Sequence, residues 1–218
     1  MALHQKKSSE IPADAVKLDE IGAINYFYDL IVNWDNSRDV WPLRFAGPIL
    51  GISTTVTSLY VNSHYRVKLK LGSYGRLSSY LPIVVLPSIM SIVSHSGFIQ
   101  PRVILQKDPC TVCTQMRAAT FHSFFAVAYP TLLAPIASFL FATRHFTYRM
   151  PEITSEPKQV FKLWQKISRP LTFQLTCFLA VNAFLAMFLT HKEYESVYTI
   201  NAKLLQMEKA FDARKLQR

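Results

Sequence analysis

At 218 residues the chain is long enough for one domain; half of it is hydrophobic and only 17% charged, below the roughly 25% usual for soluble domains. Its net charge of +10 could suit nucleic acid, but the basic residues gather at the borders of apolar blocks, where positive charge orients a membrane protein, and no zinc-finger, RNA-recognition or helix-turn-helix pattern is present. Composition thus excludes an ordinary soluble enzyme and predicts an all-α, polytopic membrane protein.

The N-terminal arm, 1–44, starts polar and then places Ile21, Ile24, Tyr28, Ile31 and Val32 at near-helical spacing, with Tyr26 and Phe27 alongside. That spacing predicts an amphipathic helix. Its acids Asp14, Asp19, Glu20, Asp29, Asp35 and Asp39 make the arm a poor mitochondrial presequence and a poor lipid-surface helix. Packing on a partner or on the body of the protein is the expected use of its apolar face.

Four blocks without internal Asp, Glu, Lys or Arg follow, at about 45–64, 77–102, 118–143 and 171–190. Each approaches the roughly 20 residues that a helix rising about 1.5 Å per residue needs to cross a hydrocarbon core about 30 Å thick. The expected organisation is therefore a four-helix transmembrane domain over 45–190. In the first span Gly47 and Gly51 have the small-x-x-x-small spacing that lets membrane helices approach closely, with Pro48 between them. Pro82 and Pro87 in the second span, and Pro130 and Pro135 in the third, each remove a backbone donor and predict a local departure from regular α-helix.

Arg66, Lys68, Lys70 and Arg76 follow the first span; Arg144, Arg149, Lys158, Lys162, Lys166 and Arg169, against Glu152 and Glu156, follow the third. These two loops share one side of a four-span topology, and the termini and the more sparsely basic loop 100–117 share the other. The positive-inside rule puts the termini outside the cytoplasm-equivalent compartment.

Cys110 and Cys113 form a C-x-x-C in loop 100–117, a spacing that suits a disulfide, half a zinc site or a redox dithiol. With Cys177 inside the fourth span no zinc ligand set is evident, so a disulfide or plain thiols are expected. His95 and His122 fall within or near spans that hold no Asp or Glu, which predicts structural hydrogen bonding in a bundle without internal charge. Gln174 and Asn182, eight apart in the fourth span, mark a packed polar face. The tail 191–218 carries Tyr194, Val197, Tyr198, Leu204, Leu205 and Phe211 at three- and four-residue intervals and predicts an amphipathic C-terminal helix. No Walker loop, dinucleotide glycine pattern, H-E-x-x-H or nucleophile elbow occurs, so no catalytic, cofactor-binding or metal residue is expected and an enzyme is not.

The stretch C-T-V-C-T-Q-M-R at 110–117, the span bearing Ala128-Tyr129-Pro130, then Trp164, Ser168, Arg169 and Pro170, and the tail opening His191-Lys192-Glu193-Tyr194 resemble the transmembrane protein 126 family over roughly 74–205. Where the family has Ser-Lys-Pro before its last span, Arg169 replaces the Lys. The resemblance implies a multi-pass protein of the mitochondrial inner membrane, where the positive-inside reading puts the termini in the intermembrane space. It further implies a non-enzymatic assembly factor that binds membrane-arm subunits of respiratory complex I and other assembly factors. Tyr129, Pro130, Trp164 and Pro170 join Gly47, Gly51, Gln174 and Asn182 as helix-packing or partner-binding candidates. A small-molecule carrier or channel, and a permanent subunit of an inner-membrane complex, are the alternatives.

Overall fold

A computed structural model describes residues 18–148 and 157–216. Asp14 in the arm, and Arg149, Glu152 and Glu156 in the second basic loop, lie outside them, as do the side chains of Asp212 and Lys215. Among the described residues all regular structure is helical.

The elements are α1 (Glu20–Val32), α2 (Ser37–Lys68), α3 (Arg76–Ile104), α4 (Thr111–His145), α5 (Pro157–Ser168) and α6 (Thr172–Leu216). Helices α2, α3, α4 and α6 run up, down, up and down. Pairings from α2 to α3 step from Thr55–Ser88 to Leu43–Gln100, and those from α4 to α6 from Thr114–Tyr194 to His122–Asn182, as antiparallel neighbours require.

Three helices, Arg76–Ile104, Thr111–His145 and Lys158–Phe211, are long and apolar enough to cross a membrane. The first expected span, 45–64, lies inside the 32-residue α2, which is long enough but too rich in Ser, Thr and Asn to reach that apolarity. The polar residues of α2 are on its inner face. Thr54, Thr57, Ser58 and Asn62 are buried, while Phe45, Ile52, Val56 and Tyr60 are exposed. This reverses the pattern of a water-soluble bundle and suits a helix whose outer solvent is lipid. The rest of the bundle repeats it, with Leu132, Ile136, Leu140, Val181 and Phe184 outside and Ser88, Ser91, Ser138 and Asn182 inside.

The expected irregularities take one form. Leu86, Gln100 and Tyr129 each donate their N–H to the carbonyl five residues back, on Leu81, His95 and Phe124, closing a π turn directly before Pro87, Pro101 and Pro130. A proline lacks the N–H for the carbonyl four residues behind it and its ring crowds that carbonyl; the wider turn relieves both. Pro135, like Pro42 and Pro48 of α2, sits within continuous α-helix.

No break separates the fourth span from the tail. Helix α6 runs for 45 residues, about 68 Å at 1.5 Å per residue, more than twice what a bilayer core requires. Nothing between 172 and 216 is Pro or Gly, so the helix has no local reason to stop. Its buried positions Asn182, Ala186, Leu189, Glu193, Val197, Ile200 and Leu204 form one seam of three- and four-residue steps across the expected boundary at 190.

Two apolar clusters close the bundle ends. At the terminal end Phe27 and Ile31 of α1 pack with Val40 and Leu43 of α2, Ile99 and Val103 of α3, and Val197 and Ile200 of α6. The arm therefore packs on the protein's own body through Ala23, Phe27 and Ile31, while Ile21 and Val32 of the expected stripe are exposed. Its position is fixed further by Arg44, which donates to the carbonyls of Ile31 and Val32 at the end of α1, and by Lys107, which pairs with Glu20. At the opposite end Val61, Tyr65, Leu69 and Leu71 pack with Phe139, Ala142, Ile167 and Leu171. There Arg66 is buried rather than free to face lipid headgroups. Its guanidinium donates to Ser79 Oγ and to the carbonyls of Gly72, Tyr74 and Gly75, tying the turn between α2 and α3.

Candidate functional site

Polar side chains from α1, α2, α3, α4 and α6 meet inside the bundle at two linked nodes. Asn182 is the first. Its Nδ2 donates to Thr57 Oγ1 at 3.1 Å and to the Phe178 carbonyl at 2.8 Å, while its Oδ1 accepts from Ser53 Oγ at 2.7 Å and from His122 Nε2 at 3.0 Å. With Nε2 as donor, His122 Nδ1 is the acceptor, and Ser91 Oγ sits 2.9 Å from it. The amide, its capacity filled, joins α2, α4 and α6, and His122 adds α3 through Ser91.

Glu193 is the second node. It is fully buried, and His95 Nε2 lies 3.0 Å and 3.1 Å from its two carboxylate oxygens. Gln100 Nε2 donates to the Leu43 carbonyl at 2.6 Å and to Glu193 Oε1 at 3.4 Å, and Gln100 Oε1 accepts from Tyr28 Oη at 3.0 Å. Burial, and then the negative charge of Glu193, raise the Tyr28 phenol above its usual range. The arm thus reaches the interior of the bundle through a single hydroxyl.

This node corrects the expectation of a bundle without internal charge. Glu193 follows the last apolar block and reads, residue by residue, as the start of a solvated tail. It becomes internal because α6 continues and Glu193 is eleven positions beyond Asn182, just over three full turns and so on the same face. Gln100, Tyr28, Ser53, Thr57 and Ser91 were also unmarked; only a seam drawn across 190 would have pointed to Glu193.

The other sequence candidates are dispersed. Gly47 and Gly51 face α3: a Cβ on Gly51 would stand 2.6 Å from Ile92 Cδ1, and one on Gly47 3.3 Å from Ser96 Oγ. Gln174 is half-buried, and its Oε1 lacks a hydrogen bond. Tyr129 closes the π turn before the buried Pro130. Trp164 packs beside the opposite-end cluster against Phe161, and Pro170 is exposed in the short turn joining α5 to α6. Cys110 and Cys113 form a disulfide, Cα–Cα 5.3 Å, at the start of α4, where the Cys113 N–H also meets Cys110 Sγ; Cys177 is free and exposed. Among the described residues no group of three His, Cys, Asp or Glu is set to hold a metal ion.

Chemically, the two nodes are networks of paired donors and acceptors that cross between helices. They can hold five helices in one register and keep one buried carboxylate matched to a histidine.

The family model for transmembrane protein 126 matches residues 42–208, from the start of α2 into the projecting part of α6. A curated Drosophila melanogaster protein called transmembrane protein 126 is 44% identical over 209 residues, covering 95% of this chain and 94% of its own length. That likeness takes in most of the N-terminal arm, beyond the 74–205 over which the motifs carry the resemblance. No solved structure matches the chain. By the family model and by a relative of this identity along nearly its full length, the chain belongs to the transmembrane protein 126 family.

Proposed function

We propose that this protein is a non-enzymatic assembly factor for respiratory complex I in the mitochondrial inner membrane, binding incomplete membrane-arm intermediates and other assembly factors. Membership of the transmembrane protein 126 family carries this reading. The physical form supports it. An assembly factor must sit in the bilayer, offer helix faces to unfinished membrane subunits and expose a handle to peripheral partners. The apolar outer faces of α3 and α4 serve the first two needs. The part of α6 beyond Leu204, with Met207 and Phe211 exposed, serves the third. The termini, α1 and loop 105–110 are assigned to the intermembrane space, opposite the loops with Lys68, Lys70, Arg144 and Lys166.

Native-gel fractionation of mitochondria with mass spectrometry of each slice tests it. The protein is expected to co-migrate with incomplete membrane-arm intermediates and to be missing from mature complex I. Stoichiometric presence in a mature complex would instead make it a permanent subunit.

One observation favours a carrier. The buried Glu193–His95 pair gives the bundle an internal ionisable site of the kind found along ion pathways. Substrate or proton flux in vesicles reconstituted with the protein, abolished by Glu193→Gln, would establish that reading; flux equal to that of empty vesicles is the expected result.

A further inference from the structure

Cys110 and Cys113 are joined where loop 105–110 turns into α4, and both are exposed. The local fold does not depend on their bond. Asp108, two residues before Cys110, accepts from Arg102 of α3 at 3.1 Å and from Thr114 Oγ1 of α4 at 2.9 Å, and it pairs with Arg117 at 3.9 Å. The Tyr194 hydroxyl of α6 donates to Thr114 Oγ1 at 3.1 Å, which fixes the inner face of the same turns. A disulfide between residues three apart closes so small a loop that it removes little entropy from the unfolded chain. As a staple the bond is redundant, and as a chemical group it is open to the surface.

The two sulfurs are unequal. Cys110 is the N-cap of α4, and its Sγ accepts the Cys113 N–H at 3.2 Å. Negative charge arising on Cys110 Sγ is met by a donor already in place and by the positive end of a 35-residue helix, which makes Cys110 the better leaving group. Cys113 lies on the outer face of α4. Met116 and Arg117, three and four residues on, are its neighbours along that face, and both are exposed, Met116 by 54%. Cys113 also stands only about one and a half turns before the charge-free block that begins at Ala118. An apolar and a cationic side chain beside an electrophilic sulfur, at the level where the membrane begins, suit a thiol carried by a polypeptide on that surface better than a small hydrophilic thiol.

We infer that the Cys110–Cys113 disulfide is a thiol–disulfide exchange site whose substrate is a pair of cysteine thiols on a polypeptide at the membrane surface. The first substrate thiolate attacks Cys113 Sγ. A disulfide forms between the substrate and Cys113, the Cys110–Cys113 bond breaks, and its electron pair leaves on Cys110 Sγ. The second substrate thiolate then attacks the first substrate sulfur, and Cys113 leaves as a thiolate. The substrate dithiol gives up two electrons and two protons and becomes a disulfide, while Cys110 and Cys113 end as thiols. No other oxidant enters, and the exchange is one for one. It stands apart from the assembly reading and does not require it.

The test uses the full-length protein in nanodiscs with Cys177→Ala, so that Cys110 and Cys113 are its only cysteines. The probes are an amphipathic, membrane-surface peptide with two reduced cysteines, the same peptide with one, and glutathione. Samples are quenched in acid, alkylated and read by mass spectrometry. The two-cysteine peptide is expected to become internally disulfide-bonded, one for one with the appearance of Cys110 and Cys113 thiols. The one-cysteine peptide is expected to be caught on Cys113, with Cys110 alkylated. At equal thiolate concentration the peptides are expected to react roughly tenfold faster than glutathione, and Met116→Ser is expected to remove that advantage while leaving the glutathione rate unchanged. The reduced protein is expected to melt at the temperature of the oxidised one. A two-cysteine peptide left reduced, or adducts found on Cys110, would overturn the site as drawn. Equal rates for peptide and glutathione would overturn the polypeptide substrate, and a melting temperature that collapses on reduction would make the disulfide a structural staple instead.

Discussion

The two halves of the bundle interior treat buried polar groups in opposite ways. Towards the termini, Glu193, His95, Gln100, Asn182, His122 and Ser91 are knitted into hydrogen bonds that cross between helices. Towards the basic loops, the hydroxyls of Thr54, Ser58 and Ser138 and both amide atoms of Asn62 are buried with no partner. Thr54, Ser58 and Asn62 are one face of α2, four residues apart at each step. In a low-dielectric interior an unmet polar atom is costly, so this stripe is the least satisfied run of the interior, whereas towards the termini Ser123 Oγ and Asn201 Oδ1 are isolated unpartnered atoms beside a bonded network. The contrast teaches that one helix can be clamped towards one end and left with unmet polar atoms along the same face further down.

Breaking the clamp should have the largest effect. Glu193→Ala leaves His95 Nε2 buried without its acceptor and removes the weaker of two from Gln100, and is expected to cost about 3–5 kcal/mol, seen as loss of the folded protein in detergent melts. Glu193→Gln keeps the shape and an acceptor and should cost clearly less; equal losses would show that the carboxylate paired with His95, not the filled volume, is what matters there. Gly51→Val drives a side chain into Ile92, with an expected cost of about 1–3 kcal/mol that the double variant with Ile92→Ala recovers in part. Recovery would place the strain at this α2–α3 contact. Asn182→Ala removes four hydrogen bonds, yet membrane hydrogen bonds average well below 1 kcal/mol each, so a loss of about 1–2 kcal/mol is expected in the same melts.

Asn62→Leu sharpens the comparison from the other side. It replaces an amide with no protein partner and is expected to leave melting temperature unchanged or raised, by at most about 1–2 kcal/mol. A loss as large as that of Asn182→Ala would mean that the stripe is as firmly satisfied as the clamp. The smallest effect lies outside the spans. Hydrogen bonds from Lys203 and then Trp34 hold the Asp39 carboxyl below its ordinary value. A lowered native value means that the Asp39 contribution is present above the unfolded value and is lost as pH falls below about 4. A slight weakening of the contact between the start of α2 and α6 over that range, followed by hydrogen exchange on the first turns of α2, should be missing in Asp39→Asn.

Much of the fold was legible because membrane burial writes itself into local composition. Runs free of charge located the cores of α3, α4 and α6, and the prolines of the second and third spans located two of the three π turns. Gly47 and Gly51 announced a close approach that the structure places against Ile92. The polar sites were less legible. His95 and His122 were visible as residues, but their partners depend on helix pairing that is parallel over 98 positions and antiparallel over 60, which no local pattern encodes. Arg66 looked like one more headgroup-facing cation, and only the turn folding back over it showed that its donors are used internally.

By itself, then, the sequence determined the class of protein, the long apolar helices and the amphipathic character of both arms, because each follows from the spacing of neighbours along one chain. Tertiary structure alone decided that α1 is part of the body, that α6 does not stop at the membrane edge, and that a carboxylate of the tail is an internal residue. Those outcomes depend on which helix faces meet. A charge is driven inside only when the seam that carries it continues and a distant histidine is waiting on the facing helix.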